Sequence, residues 1–261
     1  MSWFRALGDT GIQVSAIGLG TVKLGRDRGV RYAQPFTLPD ARSAAALLSR
    51  ARELGVNLID TAPAYGDSEQ RLGQLLKGQR QHWVLCSKVG ETFIEGKSHF
   101  DFSPEHTRAS VERSLLRLGT DILDVVLVHS NGDDLDIIER LGTLDALQAL
   151  KREGLVRAIG MSTKTIPGGI AAAQVCDVLM LTYNLQQREE RAVLDACQRL
   201  GRAALVKKAL AAGHLAGGKT DQLQASMDLV LSHPGTTTAV IGTINPRHLE
   251  ADVKAARRTV R

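Results

Sequence analysis

The chain has 261 residues, and its 43% hydrophobic and 23% charged content are those of a folded protein with a sizeable core, which excludes a mainly disordered or coiled-coil chain. Net charge is +5, but the basic residues are dispersed rather than interleaved with aromatics, so nucleic acid is not an expected partner. No apolar run approaches the ~18 residues of a membrane span, and the stretch from Met1 to Ser15 lacks the apolar segment of a secretory leader. Three cysteines without a CxxC pair fit a reduced cytoplasm. Seven histidines without an HExxH motif give no metal site.

Gly8-Asp9-Thr10-Gly11 reads as the turn of an N-terminal hairpin. Strands are then predicted over 14–21, 57–61, 83–88, 122–129, 156–161, 178–183, 204–207 and 238–242. Helical patterns over 40–54, 67–77, 104–119, 135–153, 167–175, 188–200, 221–232 and 246–258 alternate with them. Pro39-Asp40 and Ser103-Pro104 are helix starts, and Gly55, Gly119, Gly154 and Gly201 stand where a helix ends on a left-handed residue. Strands such as Val125-Val126-Leu127-Val128 are continuously apolar, as when both faces are covered. Eight strand–helix units without a linker predict one domain, a (β/α)8 TIM barrel with a short N-terminal β-hairpin.

In such a barrel the chemistry lies at the C-terminal ends of the strands. Asp60, Lys88 and His129 close three successive predicted strands, and Tyr65 follows Asp60 in a short loop. An ammonium beside a phenol favours the phenolate, so Lys88 is expected to lower the Tyr65 pKa, while Asp60 keeps Lys88 charged. A tyrosine so placed donates a proton to a carbonyl being reduced, and an imidazole N–H orients that carbonyl. No side chain supplies a hydride, which implies a nicotinamide cofactor.

Other motifs lead elsewhere. Gly213 to Thr220 matches G-x-x-x-x-G-K-[ST], the P-loop pattern, but no later strand ends in the metal-binding aspartate a nucleotide hydrolase needs. Gly18-Leu-Gly20 lacks the third glycine of a dinucleotide fingerprint, since Lys23 stands there. Cys86 reads as a buried structural thiol rather than a redox site.

The run from Asp60 to Glu69, DTAPAYGDSE, followed by Leu72-Gly73, resembles the signature of the aldo-keto reductases. Leu7 to Gly11, Gly18 to Thr21, Ser87-Lys88-Val89, Val128-His129, Gly154 to Arg157 with Ile159-Gly160, Tyr183-Asn184 and Val240 to Thr243 agree with the family in order. The resemblance implies a (β/α)8 barrel that binds extended NADP(H) without a Rossmann fold and reduces a small-molecule aldehyde or ketone. By motif, Tyr65 is the general acid, Lys88 and Asp60 support it, and His129 positions the carbonyl. Gly20, Thr21 and Asp60 line the cofactor and Ser162 holds its carboxamide. The segment from Lys207 to Gly213, with Lys208 and Leu210, follows the pyrophosphate, and Gly242, Thr243, Arg247 and His248 meet the adenosine end.

Thr163, Met180, Lys207, Gly242-Thr243, Ala251 and Asp252 depart from common family residues, all on the cofactor side. NADPH is expected over NADH, with these departures bearing on that preference. The chain stops soon after its eighth helical pattern, which predicts an open mouth, and the family default is a monomer. Two other functions fit the same residues: a cofactor-sensing regulatory module of this fold with little turnover, and a lyase forming a Schiff base on Lys88.

Overall fold

The computed structural model describes residues 2–30, 32, 34–211 and 220–260. Strands β1 (Phe4–Ala6) and β2 (Gln13–Ser15) pair antiparallel, with Phe4 opposite Ser15. The strand expected over 14–21 is two strands that divide at Ala16. The Ala16 N–H donates to the Trp3 carbonyl at 2.8 Å, while its carbonyl accepts from the Ala239 N–H at 2.9 Å. The chain thus leaves the hairpin and enters the barrel within one residue, as β3 (Ile17–Gly20).

The remaining strands are β4 (Leu58–Asp60), β5 (Val84–Val89), β6 (Glu91–Ile94), β7 (Lys97–Phe100), β8 (Leu123–His129), β9 (Val156–Ser162), β10 (Val178–Thr182), β11 (Ala203–Lys207) and β12 (Thr238–Ile241). A closed parallel barrel runs β3-β4-β5-β8-β9-β10-β11-β12 and back to β3. This is the expected (β/α)8 barrel. Strands β6 and β7 form a separate antiparallel hairpin that the sequence reading lacked.

The helices are α1 (Val22–Gly25), α2 (Ala41–Glu53), α3 (Ser68–Leu75), α4 (Pro104–Leu118), α5 (Asp134–Glu139), α6 (Thr143–Arg152), α7 (Ile166–Val175), α8 (Arg191–Leu200), α9 (Thr220–Leu231) and α10 (Pro246–Thr259). Caps fix several starts: the Asp40 carboxylate accepts the Ser43 N–H at 2.7 Å, and the Ser103 hydroxyl accepts that of His106 at 3.2 Å. The single helix expected over 135–153 is two, α5 and α6. Gly142 between them has φ +73°, a left-handed conformation that no helix continues through.

Two apolar layers result. Leu58, Val84, Cys86, Val125, Leu127, Ala158, Val178, Met180, Ala203, Leu205 and Val240 fill the barrel together with Leu7, Ile12 and Val14 of the hairpin segment. The alternate residues, among them Val126, Val128, Ile159 and Val206, pack outward against the helices. Both faces of β8 are therefore buried, which is why its sequence shows no alternation. The N-terminal hairpin plugs the end where the strands begin: a Cβ on Gly8 would lie 3.0 Å from the Gly201 carbonyl and 3.3 Å from the Ala203 nitrogen. That leaves the opposite mouth for chemistry. Cys86, Cys176 and Cys197 are buried and free. Among the described residues, no helix is long and apolar enough to cross a membrane, and no group of three His, Cys, Asp or Glu side chains is placed to hold a metal.

Candidate active site

Asp60 ends β4, Lys88 is the penultimate residue of β5, and His129 ends β8. Neighbouring parallel strands in register bring them to one mouth, with Gly20 paired to Asp60 and Lys88 to Leu127. The Lys88 ammonium, 1% exposed, donates to Asp60 Oδ1 at 2.5 Å and to the Thr61 carbonyl at 2.9 Å. It lies 4.7 Å from the centre of the Tyr65 ring. The Tyr65 and His129 rings meet edge to face, with centroids 6.2 Å apart. All four residues proposed for catalysis are thus neighbours.

The Tyr65 loop is pinned by backbone contact. A Cβ on Gly25 would lie 2.1 Å from the Ser68 nitrogen and 2.4 Å from the Tyr65 carbonyl oxygen, so only glycine lets α1 pass beneath the loop. Behind Asp60 runs a hydroxyl relay. Thr61 donates to Ser68 at 3.1 Å, Ser68 to Thr21 at 2.8 Å, and Thr21 to the Asp60 carbonyl at 2.9 Å. Thr21 therefore touches Asp60 directly, and its hydroxyl is already engaged there. Glu69 of the signature is fully buried, accepting from the Ser87 hydroxyl at 2.7 Å and facing Arg117 at 3.3 Å. It braces the β5 wall beside Lys88.

The electrostatics correct one expectation. Burial raises the Tyr65 phenol above its ordinary value; Lys88 pulls it down, but Asp60 adds to the rise and the net shift is upward. The phenolate is not favoured in the ligand-free site. Burial works against the Lys88 charge, yet Asp60 and then Tyr65 hold its pKa above the usual lysine value. Lys88 is thus a permanent ammonium. His129 goes the other way: burial lowers it, Glu91 opposes that, and Lys88 and Lys207 add to the lowering.

The cofactor-side residues lie along the adjoining rim. Ser162 ends β9 and Lys207 ends β11, and the Lys207 ammonium donates to the Ser162 hydroxyl at 2.8 Å. Burial lowers Lys207 to about 8, with Glu190 opposing and Lys208 contributing. Lys208 follows at φ +55°, exposed, and Leu210 is buried. Gly20 ends β3, next to β12, and Gly242-Thr243 follow β12. Arg247 and His248, both exposed, stand in the first turn of α10, which Asn245 caps by accepting the Arg247 N–H at 3.0 Å. Gly213, and the P-loop-like run from it to residue 219, lie outside the described residues.

This donor set suits an extended anionic dinucleotide. Three cations, Lys207, Lys208 and Arg247, follow one rim, and the buried Thr163 hydroxyl beside Ser162 has no hydrogen-bond partner. The sequence reading missed the β6–β7 hairpin and with it Glu91, whose Oε2 is 2.7 Å from His129 Nδ1. A two-residue loop, Glu95-Gly96, was the available signal; both residues have positive φ, 51° and 84°, as a type I′ turn requires.

A closed (β/α)8 barrel with Asp60, Tyr65, Lys88 and His129 gathered at the C-terminal ends of its strands is the architecture of a barrel enzyme. The sequence profile of the Aldo/keto reductase family matches residues 16–230, and the chain belongs to that family of oxidoreductases. A solved Pseudomonas aeruginosa structure described as a candidate aldo-keto reductase is 53% identical, with TM-score 0.91 and coverage of 99% of this chain and 95% of that one. An aldo-keto reductase from Bacillus halodurans in its holo form is 26% identical with TM-score 0.83, covering 98% and 91%. Among sequence relatives, aldo-keto reductase YhdN of Bacillus subtilis is 31% identical over 237 residues, 88% of this chain and 69% of that one. L-galactose dehydrogenase of Arabidopsis thaliana is 40% identical over 164 residues, 60% of this chain, and the match spans about half, 47%, of that relative.

Proposed function

We propose that this oxidoreductase reduces an aldehyde or ketone to the alcohol with NADPH, using Tyr65 as the general acid. The observation that carries the reading is the buried Lys88–Asp60 pair against the Tyr65 ring, with His129 edge-on to that ring. Reduction needs a phenol that holds its proton until the carbonyl oxygen becomes basic. A Tyr65 pKa raised by burial supplies that form across the neutral range. As the proton leaves, negative charge grows on the phenol oxygen beside a fixed ammonium, and Lys88 stabilises it without reorganising. Asp60 keeps Lys88 charged and aimed. His129 orients the carbonyl through a ring nitrogen. The reduced nicotinamide, when bound, supplies the hydride.

Ser162, Lys207, Lys208, Gly242, Thr243 and Arg247 are the residues that would hold the cofactor. The free thiols fit action in a reduced cytoplasm, and the family resemblance implies a monomer. The name of the Arabidopsis relative adds sugar hydroxyls to the substrates worth testing in the oxidative direction. The lyase reading loses ground because Asp60 leaves Lys88 no neutral amine for a Schiff base.

The test is calorimetric titration with NADPH and with NADH, followed by turnover against a panel of aldehydes, ketones and aldoses. Tight NADPH binding with turnover supports the reductase. Binding without turnover on the whole panel makes the protein a cofactor-sensing module, and no binding overturns both. Lys207→Met is expected to raise the NADPH Kd by about 10- to 100-fold, the ~1.5–3 kcal/mol range of a hydrogen bond to a charged group. With Lys207 near 8, wild-type affinity should also fall as pH rises from 7 to 9, while that of the variant stays flat. An unchanged Kd for Lys207→Met would remove Lys207 from the cofactor site.

A further inference from the structure

We propose that Glu91 is a positioning residue for His129, holding a proton on Nδ1 so that Nε2 carries one toward the barrel mouth only when the ring is an imidazolium. The inference rests on the reductase reading for its consequence in turnover, but its geometry stands without it.

Glu91 opens the β6–β7 hairpin, in register with Phe100. Its Oε2 lies 2.7 Å from His129 Nδ1, and its Oε1 accepts from the Ser98 hydroxyl at 2.6 Å. The hairpin is itself tied to the Tyr65 loop by Arg26, whose guanidinium lies 3.4 Å from the centre of the Phe93 ring and donates to the Ala64 carbonyl at 3.0 Å. One carboxylate is therefore anchored to the same loop that carries the proposed acid.

Burial opposes the Glu91 charge, but His129, Ser98 and Arg26 bring its pKa down to about 2, so it is a carboxylate at any working pH. A bare nitrogen lone pair 2.7 Å from a carboxylate oxygen is repulsive, so the proton of the neutral ring belongs on Nδ1. The contact is bent, with the oxygen outside the ideal N–H cone, and so acts as a close charge contact rather than an aligned hydrogen bond. With Nδ1 protonated, the neutral ring offers only a lone pair at Nε2. A donor to a carbonyl then requires a second proton. Glu91 favours that imidazolium; burial, Lys88 and Lys207 oppose it, and Tyr65 meets the ring edge-on.

The test is nitrogen-15 NMR of the ligand-free protein across pH 4 to 9, with the His129 signals assigned by their loss in His129→Asn. The wild-type ring is expected to show a protonated Nδ1 and a bare Nε2 in its neutral form. In Glu91→Gln the pKa should fall by one unit or more, a tenfold or greater loss of proton affinity, and the neutral proton should move to Nε2. Glu91→Asp should keep the wild-type tautomer. A wild-type neutral ring protonated on Nε2 overturns the proposal without any variant, as does a Glu91→Gln pKa equal to wild type.

In turnover, wild-type reduction should decline with pH along the His129 titration, and Glu91→Gln should lose that limb because its neutral ring donates from Nε2. A wild-type profile without the limb would overturn the consequence for catalysis. Absence of any turnover would instead count against the reductase reading while leaving the NMR result intact.

Discussion

Replacing Tyr65 with phenylalanine is expected to lower kcat/KM for carbonyl reduction by about 10²- to 10⁴-fold, the usual range for a positioned general acid. That is about 3–5 kcal/mol of barrel-mouth stabilisation lost from the transition state alone. The substitution keeps the ring that meets His129 edge to face and that Lys88 approaches at 4.7 Å, so the cluster retains its packing. NADPH affinity should stay within a few-fold of wild type, and the melting temperature should not move. Steady-state kinetics with calorimetry separates these quantities. Reduction surviving near the wild-type rate would place the acid elsewhere.

Lys88→Met should have the largest effect on stability. Methionine fills similar volume, so the cost is electrostatic: Asp60, 4% exposed, is left as a buried carboxylate without its cation. Breaking a buried pair from one side costs about 3–5 kcal/mol, whereas replacing both partners with apolar groups is often close to neutral. Urea unfolding should therefore show Lys88→Met as strongly destabilised and Lys88→Met/Asp60→Leu as substantially recovered. The pH dependence follows from the raised lysine. The pair's contribution is complete below the unfolded lysine pKa of about 10.4 and fades only as pH rises through the higher folded value. The deficit of the single variant should thus be the same at pH 6 and pH 9. A deficit under 1 kcal/mol would mean that the pair is not buried as the structure places it.

The alternation of elements was legible because an apolar run followed by a helical pattern repeats eight times, with cap residues marking several of the helix ends. The tetrad was legible because polar residues closing such runs stand out: Asp60 follows Leu58-Ile59, and His129 follows Leu127-Val128. Three features were not. Nothing in the run from Val14 to Thr21 marks Ala16 as the point where hydrogen bonding passes from hairpin to barrel, because that change lies in its partners, Trp3 and Ala239, far apart in sequence. The break at Gly142 within the pattern over 135–153 lies in its left-handed backbone, φ +73°, a conformation that hydrophobic spacing does not record. Glu91 sits beside His129 only through a hairpin whose turn uses Glu95, a residue that rarely takes positive φ. The direction of the Tyr65 shift was misread for a related cause: spacing shows which charges are near, but not how much water is gone.

The three thiols carry a practical consequence. Cys86 lies inside the barrel on β5, the strand that carries Lys88, while Cys176 and Cys197 lie in the outer layer between strands and helices. Burial raises all three, Cys86 far above the ordinary value and the other two to about 12, so none offers a thiolate to a reagent. An alkylating agent therefore meets a reactive sulfur only after the chain opens around it. The molecule thus carries its own clock for opening: the outer pair reports local separation of helices from the sheet, and Cys86 reports rupture of the barrel itself.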